Sequence, residues 1–432
     1  VSEQDYDTLR IHAGYRPKEH LYASSVPIYE TAAFGLGDAQ TAEEIAAGVK
    51  KDRYSYSRVG NPTVKVLEDR IAALEGGIGA VAVSSGMAAI SYAILNVAEG
   101  GGRIIAPINI YGASLDEFRT LLPKFNINFD FYDEVNDLKR VKQLIRPNTK
   151  AIYVESIANP STEIADIEGL AKIAHAAGIP LIVDNTLPTS YLFRPFTFGA
   201  DVVVYSSTKG INGHGNAISG LIVDHGQFDW TNGHFPQFTE DEFILTGESQ
   251  DTSTSFSTKF GANAFIARIK MKYARLFGGT LGPFDAYLAL LGLETISERL
   301  TKEVHNATAI AQYLQTNSHI EQVYYSGIDK ADPLLAKYFP KGIGGILSFK
   351  VAGNEEQTKK ILDQVKIFNY LPNIGDVRSL IVNPTRVTHR EIPKNMLLRQ
   401  HLTNEVLRLS IGLENVENLI SDLDQAITKA FQ

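Results

Sequence analysis

The chain contains no cysteine. Disulfides, thiolate nucleophiles, cysteine-ligated zinc and iron–sulfur clusters are thereby excluded. An excess of positive charge is also missing: 41 Lys and Arg face 49 Asp and Glu, a net charge of -8 over 432 residues. No nucleic-acid or membrane partner is expected from that balance, although a local basic pocket is compatible with it. The 10 histidines lack metal-ligand spacing, so no metal is expected, and there is no Gly-x-Ser-x-Gly elbow. Internal repeats and low-complexity linkers are absent. The nearest approach to a membrane span is the charge-free stretch Gly76–Ala98, long enough by the usual criterion of about 20 residues. Glycines, serines and Asn96 interrupt it, with Ser84-Ser85-Gly86 at its middle, so it reads as strand, tight turn and helix. The run Val1-Ser2-Glu3-Gln4-Asp5-Tyr6-Asp7 is acidic and lacks the basic-then-apolar layout of a secretory signal. A soluble, cytoplasmic protein is expected.

Hydrophobic residues make up 44% and charged residues 21% of the chain, a globular mixture. Its length suggests two or three domains with enough core to need no disulfide or structural metal. The first sixty residues show little regular period and read as an extended arm, 1–62, that contacts a neighbouring subunit. From Thr63 onward a helical pattern appears, and short apolar runs then alternate with amphipathic stretches. Expected strands are Ala80–Ser84, Ile104–Ala106, Asn128–Phe131, Ala151–Glu155, Leu181–Asp184, Val202–Tyr205 and Leu221–Val223. Unbroken apolar strands alternating with helices imply a mostly parallel sheet covered on both faces. The polar, aromatic stretch Phe228–Phe243 reads as a long loop. Strands near Gly345–Lys350, Ser379–Val382 and Val406–Ser410, with helices between them, predict a smaller α/β domain over 293–432, after a main domain over 63–292.

Open α/β sheets place ligands beyond the carboxyl ends of their strands. After the first expected strand, Ser85-Gly86-Met87 opens a helix, whose free N–H groups suit an anion. Later strand ends carry Glu155-Ser156 with Asn159-Pro160, then Asp184-Asn185-Thr186, then Ser206-Ser207-Thr208-Lys209. An anion cradle, an amide, a carboxylate and a lysine flanked by hydroxyls together form the set that pyridoxal 5'-phosphate (PLP) requires. Its aldehyde needs a lysine, its pyridine nitrogen a carboxylate, and its phosphate a group of N–H and hydroxyl donors. Taken singly, Asp184 could be a turn residue and Lys209 a solvated side chain; the combination selects the cofactor. A loose Gly-x-Gly-x-x-Ala at Gly77–Ala82 precedes its strand, against the dinucleotide fingerprint.

Ser206-Ser207-Thr208-Lys209 followed by Gly213-His214-Gly215 resembles the lysine signature of the Cys/Met-metabolism PLP-dependent enzymes, the cystathionine γ-synthase family. Tyr56-Ser57-Arg58-Val59-Gly60-Asn61-Pro62-Thr63, Ser84–Ala89, Tyr111-Gly112, Glu155-Ser156, Val183–Thr186 and Arg408–Glu414 match in the same order, so nearly the whole chain is covered. The resemblance implies a PLP-dependent transferase fold of the type I, aminotransferase-like kind. It also implies a role for each matching residue. Lys209 would hold the cofactor aldehyde and afterwards move protons. Asp184 would pair with the pyridinium, Asn159 with the phenolic oxygen, and Tyr111 would stack on the ring and assist the leaving group. Ser85, Gly86, Met87, Ser206 and Thr208 would hold the phosphate, joined by Tyr56 and Arg58 from an adjacent subunit. Arg408 would clamp the substrate carboxylate, with Asn373 beside it. A homotetramer of dimers that share active sites is the implied assembly.

Within the family, methionine γ-lyases carry a cysteine where this chain has Ala113. Asn373-Ile374-Gly375-Asp376, the aromatic loop through Phe238, Gly282–Tyr287 and Leu290–Thr295 resemble the O-acetylhomoserine sulfhydrylases. The branch implies γ-replacement: O-acetyl-L-homoserine plus sulfide, or a thiol, gives L-homocysteine or its thioether, and acetate. γ-Elimination of the methionine or cystathionine lyase type, and cystathionine γ-synthesis, are the alternatives. Departures from the branch are Gly210 after the lysine, Ile244–Gly247, and Asn383-Pro384-Thr385-Arg386.

Overall fold

The computed structural model describes residues 5–50, 52–246, 254–390, 392–400 and 402–432. Residues 1–4 of the expected arm, and Gly247 at the end of the Ile244–Gly247 departure, lie outside the described residues. The strands are β1 (Gly79–Val83), β2 (Gly102–Pro107), β3 (Ile127–Tyr132), β4 (Thr149–Glu155), β5 (Leu181–Asp184), β6 (Val202–Tyr205) and β7 (Gly220–Asp224). Nearer the C-terminus come β8 (Ile320–Tyr324), β9 (Ile346–Val351), β10 (Asn369–Tyr370), β11 (Leu380–Val382) and β12 (Val406–Ser410). Each of the seven strands expected in the first half forms, within two residues at either end.

The chain divides into two compact units, one of Val1–Glu99, Asp201–Thr208 and Asn216–Glu294, the other of Gly100–Ala200, Lys209–Gly215 and Thr295–Gln432. In the first, β7 lies between β1 and β6 and is antiparallel to both, with Val81 and Val204 each opposite Ile222. The helix Pro62–Glu75 starts where Asn61 accepts the Thr63 N–H and Pro62 presets the backbone. Gly76 closes it with φ 79°, a conformation that glycine adopts without strain. Its buried face is Val64, Val66, Leu67, Ile71 and Leu74.

Two features of this unit differ from the sequence reading. The arm is not wholly extended: Tyr6–His12 and Ala39–Ala46 are helical, capped by Asp5 and Asp38. Segments this short carry too few apolar positions to show a period. The aromatic loop is also interrupted, by a helical turn at Pro236–Thr239. Trp230 stacks on Phe238 and Phe265 at centroid distances of 4.7 and 4.8 Å, so Trp230, Phe235 and Phe238 are core material, while Phe243 is exposed.

In the second unit β5, β4, β2 and β3 are adjacent in that order and parallel. Their centres, such as Ile105, Ile152 and Ile182, are fully buried. A second sheet runs β10-β11-β12-β9-β8, antiparallel except for its β10–β11 edge. The helix Val416–Ala430 buries Leu419, Leu423, Ala426 and Ile427 along one stripe, as an amphipathic helix against a core does.

Candidate active site

In the second unit, the carboxyl ends of β4 and β5 carry Glu155 and Asp184 directly opposite one another. Asp184 Oδ1 accepts the Thr186 N–H at 3.0 Å and Oδ2 the Tyr153 hydroxyl at 3.3 Å. Glu155 Oε1 accepts the Tyr111 N–H at 2.6 Å, and Oε2 the Asn159 N–H at 3.3 Å. Tyr111, Asn159 and Asp184 are thereby tied to one another through two strand ends. Tyr111 is 39% exposed, so it is not a core tyrosine.

Lys209 Nζ donates to Asn373 Oδ1 at 2.6 Å. Arg408, on β12 and buried, donates to Asn373 O at 3.3 Å and to Asn159 Oδ1 at 3.2 Å. Glu414, at the end of the same motif, is engaged with Ser379. Burial, and secondarily the Arg408 charge, push the Lys209 ammonium down to about 8. Two further residues set this geometry: Arg299, which the sequence did not single out, and Gly375, read there only as part of the Asn373–Asp376 motif. Arg299 donates to Gly210 O and Ile211 O at 2.8 and 3.2 Å and anchors the lysine loop. Gly375 has φ 64°, and a Cβ there would stand 2.6 Å from Gly210 N; only glycine lets the Asn373 loop come that close. A buried arginine and an isolated Gly-Asp pair gave no periodic signal to find them by.

In the first unit, Ser85 accepts the Ala88 N–H at 3.1 Å and caps the helix Gly86–Ala98, whose first two residues are Gly86 and Met87. A Cβ on Gly86 would stand 2.5 Å from Ser206 Cβ and 2.8 Å from Ser206 Cα. The helix start and Ser206 are therefore brought together. Thr208 is engaged differently from the expected phosphate role: its hydroxyl donates to Ser219 O at 3.1 Å and accepts the Ser219 N–H at 2.9 Å. Its proton closes the loop, and a phosphate would have to compete for it. Tyr56 and Arg58 lie together in this unit, the guanidinium 5.4 Å from the ring centroid, and Arg58 also donates to Arg275 O at 2.5 Å. His214 is exposed, with Nδ1 2.7 Å from Asn212 O.

The residues fit pyridoxal 5'-phosphate. An amine of lowered pKa, a carboxylate with two hydrogen-bond donors, an amide, an aromatic face and a helix start that tolerates no Cβ are all present. The chain matches the model of the Cys/Met metabolism PLP-dependent enzyme family over residues 7–428. It is 37% identical over 437 residues to a homocysteine synthase of Schizosaccharomyces pombe, covering 100% of both chains. It is 36% identical over 426 residues to an O-acetyl-L-homoserine sulfhydrylase of Leptospira meyeri, covering 98% of this chain and 96% of that one. A crystal structure described as an O-acetylhomoserine (thiol)-lyase of Campylobacter jejuni, which carries a pyridoxyl-lysine phosphate, matches with a TM-score of 0.92 at 33% identity, covering 98% of this chain and 100% of that one. The chain belongs to the Cys/Met metabolism PLP-dependent enzyme family. It is an enzyme of the α/β PLP-dependent transferase fold, with a mostly parallel central sheet and a smaller α/β domain, and its cofactor is pyridoxal 5'-phosphate.

Proposed function

We propose that this enzyme catalyses γ-replacement on O-acetyl-L-homoserine. Sulfide adds at Cγ as acetate leaves, giving L-homocysteine; a thiol in place of sulfide gives the thioether. The relatives that carry these activities in their names support the substrate. The observation that carries the chemistry is the line Lys209–Asn373–Arg408: an amine near 8 stands two hydrogen bonds from a guanidinium suited to a carboxylate. When bound, the cofactor supplies an electron sink for negative charge at Cα. Lys209 is assigned the proton transfers at Cα and Cβ, for which a lysine titrating near the working pH is well matched. Arg408 holds the substrate α-carboxylate through its fork, next to the Asn373 carbonyl. Tyr111 covers the ring face and assists the leaving acetate. Asp184 would supply the negative charge for the pyridinium, and Asn159 would pair with the phenolic oxygen. Ser85, Gly86, Met87 and Ser206 would receive the phosphate, with Thr208, whose hydroxyl is bonded to Ser219, as a further donor if that bond yields.

The arm 1–62, a cofactor domain over 63–292 and a C-terminal domain over 293–432 complete this reading, together with a cytoplasmic homotetramer of dimers. Tyr56 and Arg58 then serve a neighbouring subunit. The exposure of Tyr56, Leu276 and Phe277, at 44, 63 and 65%, supports a covering partner. Among the described residues no helix is long and apolar enough to cross a membrane.

Incubation of the cofactor-loaded enzyme with O-acetyl-L-homoserine, with and without sulfide, tests the reaction. Homocysteine that appears only with sulfide is expected. Keto acid in both tubes would establish elimination instead. Full activity in a monomeric fraction from a sizing column would overturn the shared-site assembly.

A further inference from the structure

The two carboxyl side chains at the ends of β4 and β5 do not share one task. Glu155 is 6% exposed, and no cation is among the groups that act on either acid. The groups that face Glu155 are Asp184 from β5, Tyr153 from its own strand, and the Tyr111 and Asn159 N–H groups. Arg408, the nearest cation on β12, ends at Asn159 Oδ1. Two full negative charges on neighbouring strand ends, without a counter-charge, are strongly disfavoured in such surroundings.

Asp184 has the stronger claim to the charge. It is partly open, and it accepts both the Tyr153 hydroxyl and the Thr186 N–H. A pyridinium facing it would add to that preference. Glu155 instead accepts two backbone N–H groups, those of Tyr111 and Asn159. Burial first, and the charge of Asp184 second, drive its carboxyl well above the usual carboxylate range. Hydrogen bonds oppose the effect of burial at both acids, and Glu155 alone is raised further by the charge of its neighbour.

We propose that Glu155 is a positioning residue of this site: a buried, protonated carboxyl that ties the Tyr111 and Asn159 backbones to β4 and leaves the single negative charge of the pair on Asp184. The consequence is a division of labour. One acid fixes where the stacking ring and the amide stand, and the other is kept ionised for the cofactor nitrogen.

The test uses the cofactor-loaded enzyme and three readouts other than turnover. The first is the infrared difference spectrum between the parent and Glu155→Gln, where the carbonyl stretch of a protonated carboxyl should appear in the parent and vanish in the variant. The second is the pH titration of the cofactor absorbance band. Glutamine is neutral and keeps the acceptor for Tyr111, so the midpoint should stay within about 0.3 pH units of the parent. The third is the cofactor dissociation constant of Glu155→Leu, which removes both acceptors and should weaken binding about tenfold or more. A parent without the protonated-carboxyl band would overturn the proposal. So would a Glu155→Gln midpoint lower by about one unit or more, the sign of a lost neighbouring charge, or unchanged cofactor affinity in Glu155→Leu. If the leucine variant fails to fold, the two glutamine measurements still decide. The inference rests on the cofactor assignment and not on the sulfhydrylase reaction. A parent that forms no cofactor band would defeat that assignment, whereas the outcomes above defeat only the role of Glu155.

Discussion

Replacing Gly86 by alanine should separate the cofactor's phosphate site from the stability of the fold. The new methyl carbon would stand 2.5 Å from Ser206 Cβ, 2.8 Å from Ser206 Cα and 2.9 Å from its Oγ. Carbon–carbon contacts are comfortable near 3.5–4.0 Å, so about 1 Å must be found. A rotamer change cannot supply it, because one of the obstructing atoms is backbone. The start of the helix Gly86–Ala98 must move away from Ser206, and the N–H groups proposed for the phosphate move with it. Overpacking of this kind costs about 1–3 kcal/mol. Alanine's better helix propensity offsets up to about 1 kcal/mol of that in global stability, but it does nothing for the displaced donors. The expected result is a cofactor dissociation constant raised about 5- to 100-fold, read by fluorescence titration of the cofactor-free protein. The melting temperature without cofactor should fall by only a few degrees. An unchanged dissociation constant with a lowered melting temperature would refute the phosphate assignment, because the clash would then be felt only by the fold.

Three further outcomes follow from the second unit. Arg408→Lys keeps the charge and loses the fork, so the KM for the amino-acid substrate should rise about 10- to 100-fold with a smaller change in kcat; a change confined to kcat would argue that Arg408 does not hold the carboxylate. Lys209→Met should abolish homocysteine formation while the protein still folds. In the cofactor-free protein it should also add about 1–3 kcal/mol of stability at pH 7. The folded lysine, lowered to about 8, binds its proton less tightly than the unfolded one, so the parent is penalised below that pH and recovers as pH rises toward 10.5; parallel stability–pH curves for the two proteins would count against this. Glu303 is buried, has an unpartnered Oε1, and is raised to about 8 mainly by burial, with Arg299 opposing and Asp376 adding to the rise. Its folded pKa exceeds the unfolded one, so its contribution is full below about 4.5 and is lost as pH rises through about 8. Unfolding free energies from urea titrations at pH 5 and pH 8 should therefore differ by about 2–4 kcal/mol more in the parent than in Glu303→Met.

The parts legible in the sequence were those whose cause is local. Val202–Tyr205 and Leu181–Asp184 are unbroken apolar runs, and buried strands need no alternation, so both formed where expected. Strand-end chemistry was legible for the same reason: Asp184 and Lys209 follow such runs directly. What stayed hidden depends on pairs far apart in the chain. Lys209 meets Asn373 across 164 positions, and Arg408 meets Asn159 across 249. No period or spacing encodes either contact, and the close approach that allows the first depends on one glycine, Gly375. The reversed direction of β7 was invisible as well, because an apolar run reads the same in either orientation. Thr208 shows the opposite limit: its motif is plain in the sequence, yet its hydroxyl proton is taken up by Ser219.

Although the second unit pairs many acids with bases elsewhere, such as Arg103 with Asp130 and Lys337 with Glu168, neither Lys209 nor Asp184 is in such a pair. No carboxylate is among the groups acting on Lys209; only burial and the Arg408 charge move it, both downward. An aspartate at hydrogen-bond distance would have held the ammonium charged far above neutral pH. The neutral amide of Asn373 can accept from the amine without stabilising its charge in that way. Asp184 is treated in the reverse sense, with a phenol and a backbone N–H as donors and no cation. Had Lys209 and Asp184 been paired, each would have lost the property its proposed role requires: the amine could not give up its proton near pH 8, and the carboxylate would not be available to a pyridinium. Two neutral partners, Asn373 and Tyr153, keep both groups oriented without neutralising either.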